Sequence, residues 1–103
     1  MMNIVTEVVS FETQEGIGYN DFVKIVDMLE CEFHSKQQGF IDTELLHDSK
    51  NGIWMMIQHW ESKDDLKNAS KKMFEDNVTK PFREALNTKT IKISKYPQIQ
   101  VWR

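Results

Sequence analysis

From Asn3 to Phe11 the chain reads NIVTEVVSF, a β-branched run that predicts a first strand. The polar, two-glycine stretch ETQEGIGYN follows as a loop, and Asn20 with Asp21 behind it suits a helix N-terminus. From there Phe22, Ile25, Val26, Leu29 and Phe33 recur at helical spacing, which predicts a helix over residues 20–35 with one buried stripe. His34 and Lys36 suit its negative C-terminal pole, and Gly39 ends the segment. A second strand is predicted over Gly39–Asp48. SKNG is a turn, in which Asn51-Gly52 offers the positive φ values of a tight hairpin, and IWMMIQHWE is the third strand. Ser62, with Asp65 three residues on, opens a second helix as a near capping box, with Leu66, Ala69, Met73 and Phe74 as its apolar stripe. TKPFREAL adds a further helical turn or two, Pro81 being tolerated near its start. The last segment alternates at Ile91 and Ile93 and again at Ile99 and Val101, with Pro97 marking an edge or a bulge between the halves.

The order is β-α-β-β-α-β over a single domain, residues 1–103. This is an α+β, ferredoxin-like arrangement: a four-stranded antiparallel sheet with its helices on one face. Strand three poses a problem within it. Ile53, Met55 and Ile57 fall on one parity, and Trp54, Met56 and Trp60 fall on the other, so both faces of the strand are apolar. The helices dry one face. The other is expected to meet a second copy of the chain, sheet against sheet, in a dimeric α/β barrel. The alternative is that the long C-terminal segment covers it.

With 40% apolar and 11% aromatic residues the chain has enough material for a core. Its net charge of -3, with Lys and Arg scattered, argues against a nucleic-acid partner. Cys31 is the only cysteine, so no intrachain disulfide forms, and a reduced thiol fits a cytoplasmic home. No apolar run approaches the roughly 18 residues of a membrane span, and the first residues lack the basic region of a signal peptide. The charge run SKDDLKNASKKMFED reads as a solvated helix face. There is no Gly-rich phosphate loop and no Cys/His nucleophile pair. His34, His47 and His59 show no ligand spacing, so no metal is expected. His47, beside Asp48, and Glu44, which shares parity with Phe40 and Leu46, are the candidate general bases. His59 is expected on the open face with Ile57 and Met55, and His34 at a helix end.

The segment GFIDTELLHDSKNGIWMMIQHWESKDDLKNA resembles the antibiotic biosynthesis monooxygenase family, with Gly39-Phe40 opening strand two and Trp60-Glu61-Ser62 closing strand three. The resemblance implies a dimeric ferredoxin-like barrel of this length. It also implies a dry cavity between sheet and helices, where an electron-rich phenol or quinol reacts with dioxygen without a cofactor. Trp60 matches a tryptophan that lines this cavity in the polyphenol oxygenases. Met56 and Leu66 stand where those enzymes have an asparagine and a tyrosine. The heme-degrading branch does not match, since its tryptophan, histidine and asparagine fall at Ala69, near Thr79 and near Val8. If Trp60 lines a cavity, strand parity places Trp54, Met56 and Gln58 on the same face, with Phe22 and Phe74 opposite them from the helices. These six are the expected pocket for a small aromatic ligand, Gln58 orienting a carbonyl or hydroxyl. The competing readings are that Trp60 and Trp54 are core and that Gln58 bonds a neighbouring strand. The expected functions are a cofactor-independent monooxygenase or, in a different class, a non-catalytic ligand-binding barrel of the stress-responsive kind.

Overall fold

The computed structural model describes residues 3–103. Its elements are β1 (Val5–Thr13), α1 (Tyr19–Glu32), β2 (Phe40–Asp48), β3 (Ile53–Trp60), α2 (Lys63–Met73), α3 (Lys80–Ala85) and β4 (Leu86–Pro97), with 3-10 turns at His34–Lys36 and Asn77–Thr79. The strands form one antiparallel sheet in the order β2-β3-β1-β4, the ferredoxin-like arrangement. Trp54, Met56, Gln58 and Trp60 are all buried on the helix side of β3, whereas Ile53, Met55, Ile57 and His59 are only partly covered or exposed. Period-two alternation is therefore the signal that positions this strand.

The local devices differ from expectation in four places. Helix α1 begins two residues earlier than Asn20 would set it, because Gly18 takes the cap position and its carbonyl accepts the Phe22 N–H at 3.0 Å. In the β2–β3 turn only Gly52 has positive φ, +69°. There the Asp48 carboxylate accepts the Lys50 and Asn51 N–H groups, so an Asx turn replaces the two-residue hairpin. The C-terminal alternation does not continue as strand beyond Pro97, since Val5, the first residue of β1, is already the partner of Pro97. Gln98 donates to the Ile4 carbonyl, and Ile99 and Trp102 beyond it are exposed. Finally, β2 carries a bulge between Phe40 and Asp42, one extra residue opposite the adjacent pair Trp60 and His59. That slip puts Phe40 on the helix side and Glu44 with Leu46 on the open face. Glu44 is exposed and is not the partly buried base that simple parity suggested.

The capping box at Ser62 forms with a variation. Its hydroxyl accepts the Asp65 N–H at 3.1 Å and lies 2.9 Å from the Asp65 carboxylate, to which it donates. Two packed regions result. Phe11, Phe22, Trp54, Leu29, Val26 and Phe82 form the larger core, and Trp60, Leu66, Ala69 and Val5 the smaller.

Candidate functional site

Between the sheet and α2 lies a cavity of about 370 Å3. Its floor is the middle of β1 and the end of β3, through Glu7, Val9, Met56, Gln58 and Trp60. Its roof is one face of α2, through Leu66, Ala69, Ser70, Met73 and Phe74. The remaining wall comes from α3 and β4. Here β4 makes an irregular excursion between its two paired stretches, pinned where the Thr90 hydroxyl accepts the Glu12 N–H and donates to the Asn87 carbonyl. That detour brings Thr88 and Ile91 to the cavity rim.

Of the six residues expected to line a pocket, Met56, Gln58, Trp60 and Phe74 border this one space. Phe74 does so from the mouth, since it is 74% exposed. Trp54 and Phe22 do not. They are buried in the larger core, their rings 4.7 Å apart, next to Phe11 and Phe82. Their parity is as expected, but they lie at the turn end of β3, where α1 packs down and leaves no space.

Of the histidines, His59 falls where strand parity placed it, and His34 is the surprise. His47 stacks on Trp54 with ring centroids 4.1 Å apart, away from the cavity. His59 lies on the open face, its Nδ1 2.6 Å from an Asp42 carboxylate oxygen. His34 stands at the end of α1 as expected, but it is only 3% exposed and lines the cavity. The reason is local. The α-helix ends at Phe33, with φ -125° and ψ -67°, and the chain tightens into a 3-10 turn that swings His34 inward. Its ring is held by Phe33, Phe40 and Trp60, and its Nδ1 is hydrogen-bonded to Glu30 one turn earlier. The spacing of Glu30 and His34, four apart at a helix end, is the sequence signal that would have marked this pair.

Gln58 is the hub of the polar end. Its amide nitrogen lies 3.2 and 3.3 Å from the two ring nitrogens of His34, so it sits over the imidazole, and it donates to the Thr43 hydroxyl at 3.0 Å. Glu7 pairs with Gln58 across β1 and β3 on the same face. Burial pushes the Glu7 carboxyl above its ordinary value, and the charges of Lys95 and His34 oppose that rise. The Trp60 indole N–H is buried with no hydrogen-bond partner among the described residues. Arg83 reaches the rim, its Nε donating to the Thr79 hydroxyl. The site is thus an apolar box with one polar corner, containing a carboxyl, an imidazole, an amide and a free indole donor. No cluster of metal-ligating side chains occurs among the described residues, and no helix among them is long and apolar enough to cross a membrane.

No protein-family model and no curated protein sequence matches the chain. Solved structures do. SnoaB, a cofactor-independent oxygenase from Streptomyces nogalater, superposes with a TM-score of 0.71 at 19% identity, covering 96% of each chain. A candidate antibiotic biosynthesis monooxygenase from Nitrosomonas europaea gives 0.72 at 10% identity, over 96% of this chain and 93% of the other. A conserved protein from Methanosarcina mazei Go1 gives 0.68 at 21% identity over 92% of each. At these identities the shared property is the backbone arrangement: the chain has the fold of the antibiotic biosynthesis monooxygenase-like proteins.

Proposed function

We propose that the chain is a cofactor-independent monooxygenase of a small, flat hydroxyaromatic, a quinol or related phenol bound between the sheet and α2. The observation that carries this reading is the cavity: about 370 Å3, walled by methionine, aromatic and aliphatic side chains, with Gln58 and the unpartnered Trp60 N–H as polar points. That volume is at the small end of the range for ligand pockets and suits one or two fused rings. The chemistry required of the protein is modest. An electron-rich phenol that loses a proton becomes a carbanion that reduces dioxygen itself. A hydroperoxide on that carbon then loses water to leave a carbonyl. The phenolic O–H and the ring C–H supply the two hydrogens of one H2O, and the other atom of O2 becomes the new C=O, so no external reductant enters. The protein supplies desolvation, orientation and a hydrogen-bond donor or base.

A second reading, ligand binding without turnover, is favoured by Met56 and Leu66, which stand where the resemblance implies an asparagine and a tyrosine. Oxygen uptake with a panel of hydroxyanthrones and benzoquinols, above their spontaneous oxidation, separates the two. Turnover should consume one O2 per quinone formed and should drop at least tenfold when Ala69→Phe fills the cavity. Quenching of tryptophan fluorescence by the same compounds without oxygen uptake would select the binding reading.

The open face supports a homodimer, sheet against sheet. Val8, Leu46, Ile53, Met55, Ile57 and Tyr96 share it by register. The C-terminal residues do not cover it, Ile99 being 89% and Trp102 85% exposed. The chain exposes 7350 Å2, where a compact monomer of 12.2 kDa exposes about 6,100 Å2. The excess, about 1,250 Å2, is larger than the roughly 800 Å2 that each partner of a standard interface buries.

A further inference from the structure

The pair of half-buried Glu30 and buried His34 has a place in the molecule that core packing alone does not require. His34 lines the cavity under α2. Glu30 does not. It lines a separate, open groove of about 590 Å3 on the outside of the molecule, between α1 and β2, together with Val23, Asp27, Cys31 and Leu45. The side chain of His34 is 4% exposed and that of Glu30 is 22% exposed. Their hydrogen bond, from Nδ1 to a Glu30 carboxylate oxygen, therefore runs from the dry interior to a side chain that borders the outer groove, the other carboxylate oxygen being itself buried without a partner among the described residues. A carboxylate accepting from Nδ1–H sets the tautomer, leaves Nε2 as the basic nitrogen and stabilises the imidazolium that forms when Nε2 takes a proton.

We propose that Glu30 and His34 form the proton outlet of the cavity. His34 Nε2 accepts the proton of a phenolic hydroxyl bound beside Gln58, and the Nδ1 proton passes to Glu30 and on to solvent in the outer groove. The O–H bond breaks, the N–H bond forms at Nε2, and the electron pair stays on the phenolate oxygen. His34 is the group that touches the substrate; Glu30 is a positioning residue that also carries the proton away. Gln58, now 3.3 Å from Nε2, yields that place to the hydroxyl and keeps its bond to Thr43. The other charged groups facing the pair are Glu7 from β1, with Lys95 beside it, and Arg83 from α3 at the rim. A negative Glu7 would add to the stabilisation of the imidazolium, and Arg83 would favour the phenolate.

This inference rests on the cavity being a ligand site, and the test separates the two. The probe is 4-nitrophenol, whose phenolate is coloured, titrated into the full chain across pH with binding followed by tryptophan quenching. The wild-type protein should hold the probe as phenolate at a pH at least one unit below that required by His34→Gln, about tenfold in the ionisation constant. Glu30→Gln should give an intermediate shift, and it keeps the test alive if His34→Gln does not fold. A role in packing alone would change thermal stability without changing the ionisation of the bound probe. Equal binding and equal ionisation in all three proteins overturns the outlet and leaves the cavity reading intact. No binding to the wild-type chain at millimolar probe overturns the cavity reading, and the outlet with it.

Discussion

Glu7 shows how much one side chain in an apolar strand can set. It stands between Val5 and Val9 on the inward parity of β1, where a carboxylate is out of place unless something uses or neutralises it. Burial raises its pKa above the ordinary 4.5. A raised carboxyl binds its proton more tightly folded than unfolded, so its stabilising contribution is complete below pH 4.5 and is lost as pH rises through the folded value. Glu7→Gln removes that dependence. The variant should melt above wild type at pH 7, and the difference should shrink as pH falls to about 4; a difference that stays constant across this range in thermal melts would show that Glu7 does not titrate this way. Such residues are where the sequence was hardest to read. Glu7 was hidden within a β-branched run, and His34 was hidden by the assumption that α1 keeps its α-helical phase past Phe33. That Trp60 and Gln58 share one face was legible from strand parity, and the family resemblance pointed to that face as the cavity side.

Among the elements, the joint between β2 and α2 is the tightest. Gly39 has φ +81°, its carbonyl accepts the Glu61 N–H at 2.7 Å, and a Cβ there would lie 2.2 Å from an Asp65 carboxylate oxygen. Gly39→Ala should therefore destabilise the fold by about 2 kcal/mol or more, from left-handed strain plus the clash. Adding Asp65→Gly, which also removes the Asp65 Cβ that would lie 2.5 Å away, should relieve only the clash, a non-additivity measurable by denaturant titration in a double-mutant cycle. Element order and type were legible because helical spacing and strand alternation differ in period. The bulge at Phe40–Asp42 and the early start of α1 were not, since the bulge is decided by backbone partners far along the chain and Gly18 caps α1 in an extended conformation with no capping side chain for a pattern to mark. Trp54 and Phe22 were assigned to the right layer but the wrong end of it. Parity reports a face, and it does not report where along that face space remains.

For the whole molecule, the apolar open face makes the assembly testable. The chain should sediment as a dimer at micromolar concentration, and Ile57→Glu, which sets a charge and its two-fold copy on that face, should weaken association on the order of a hundredfold while leaving the fold intact by circular dichroism. A wild-type chain that sediments as a monomer would remove the dimer and leave the face unexplained. The bulge in β2 also bears on how this chain is compared with others of its fold. Ile41 is the surplus residue between Phe40, which faces the helices, and Asp42, which faces away, and it is itself 40% exposed. Deleting it would restore plain alternation and move neither neighbour to the wrong side. A chain one residue shorter here would keep every face in register, so an alignment at such low identity should open its gap at position 41. A gap placed elsewhere in the strand would exchange inside for outside along β2.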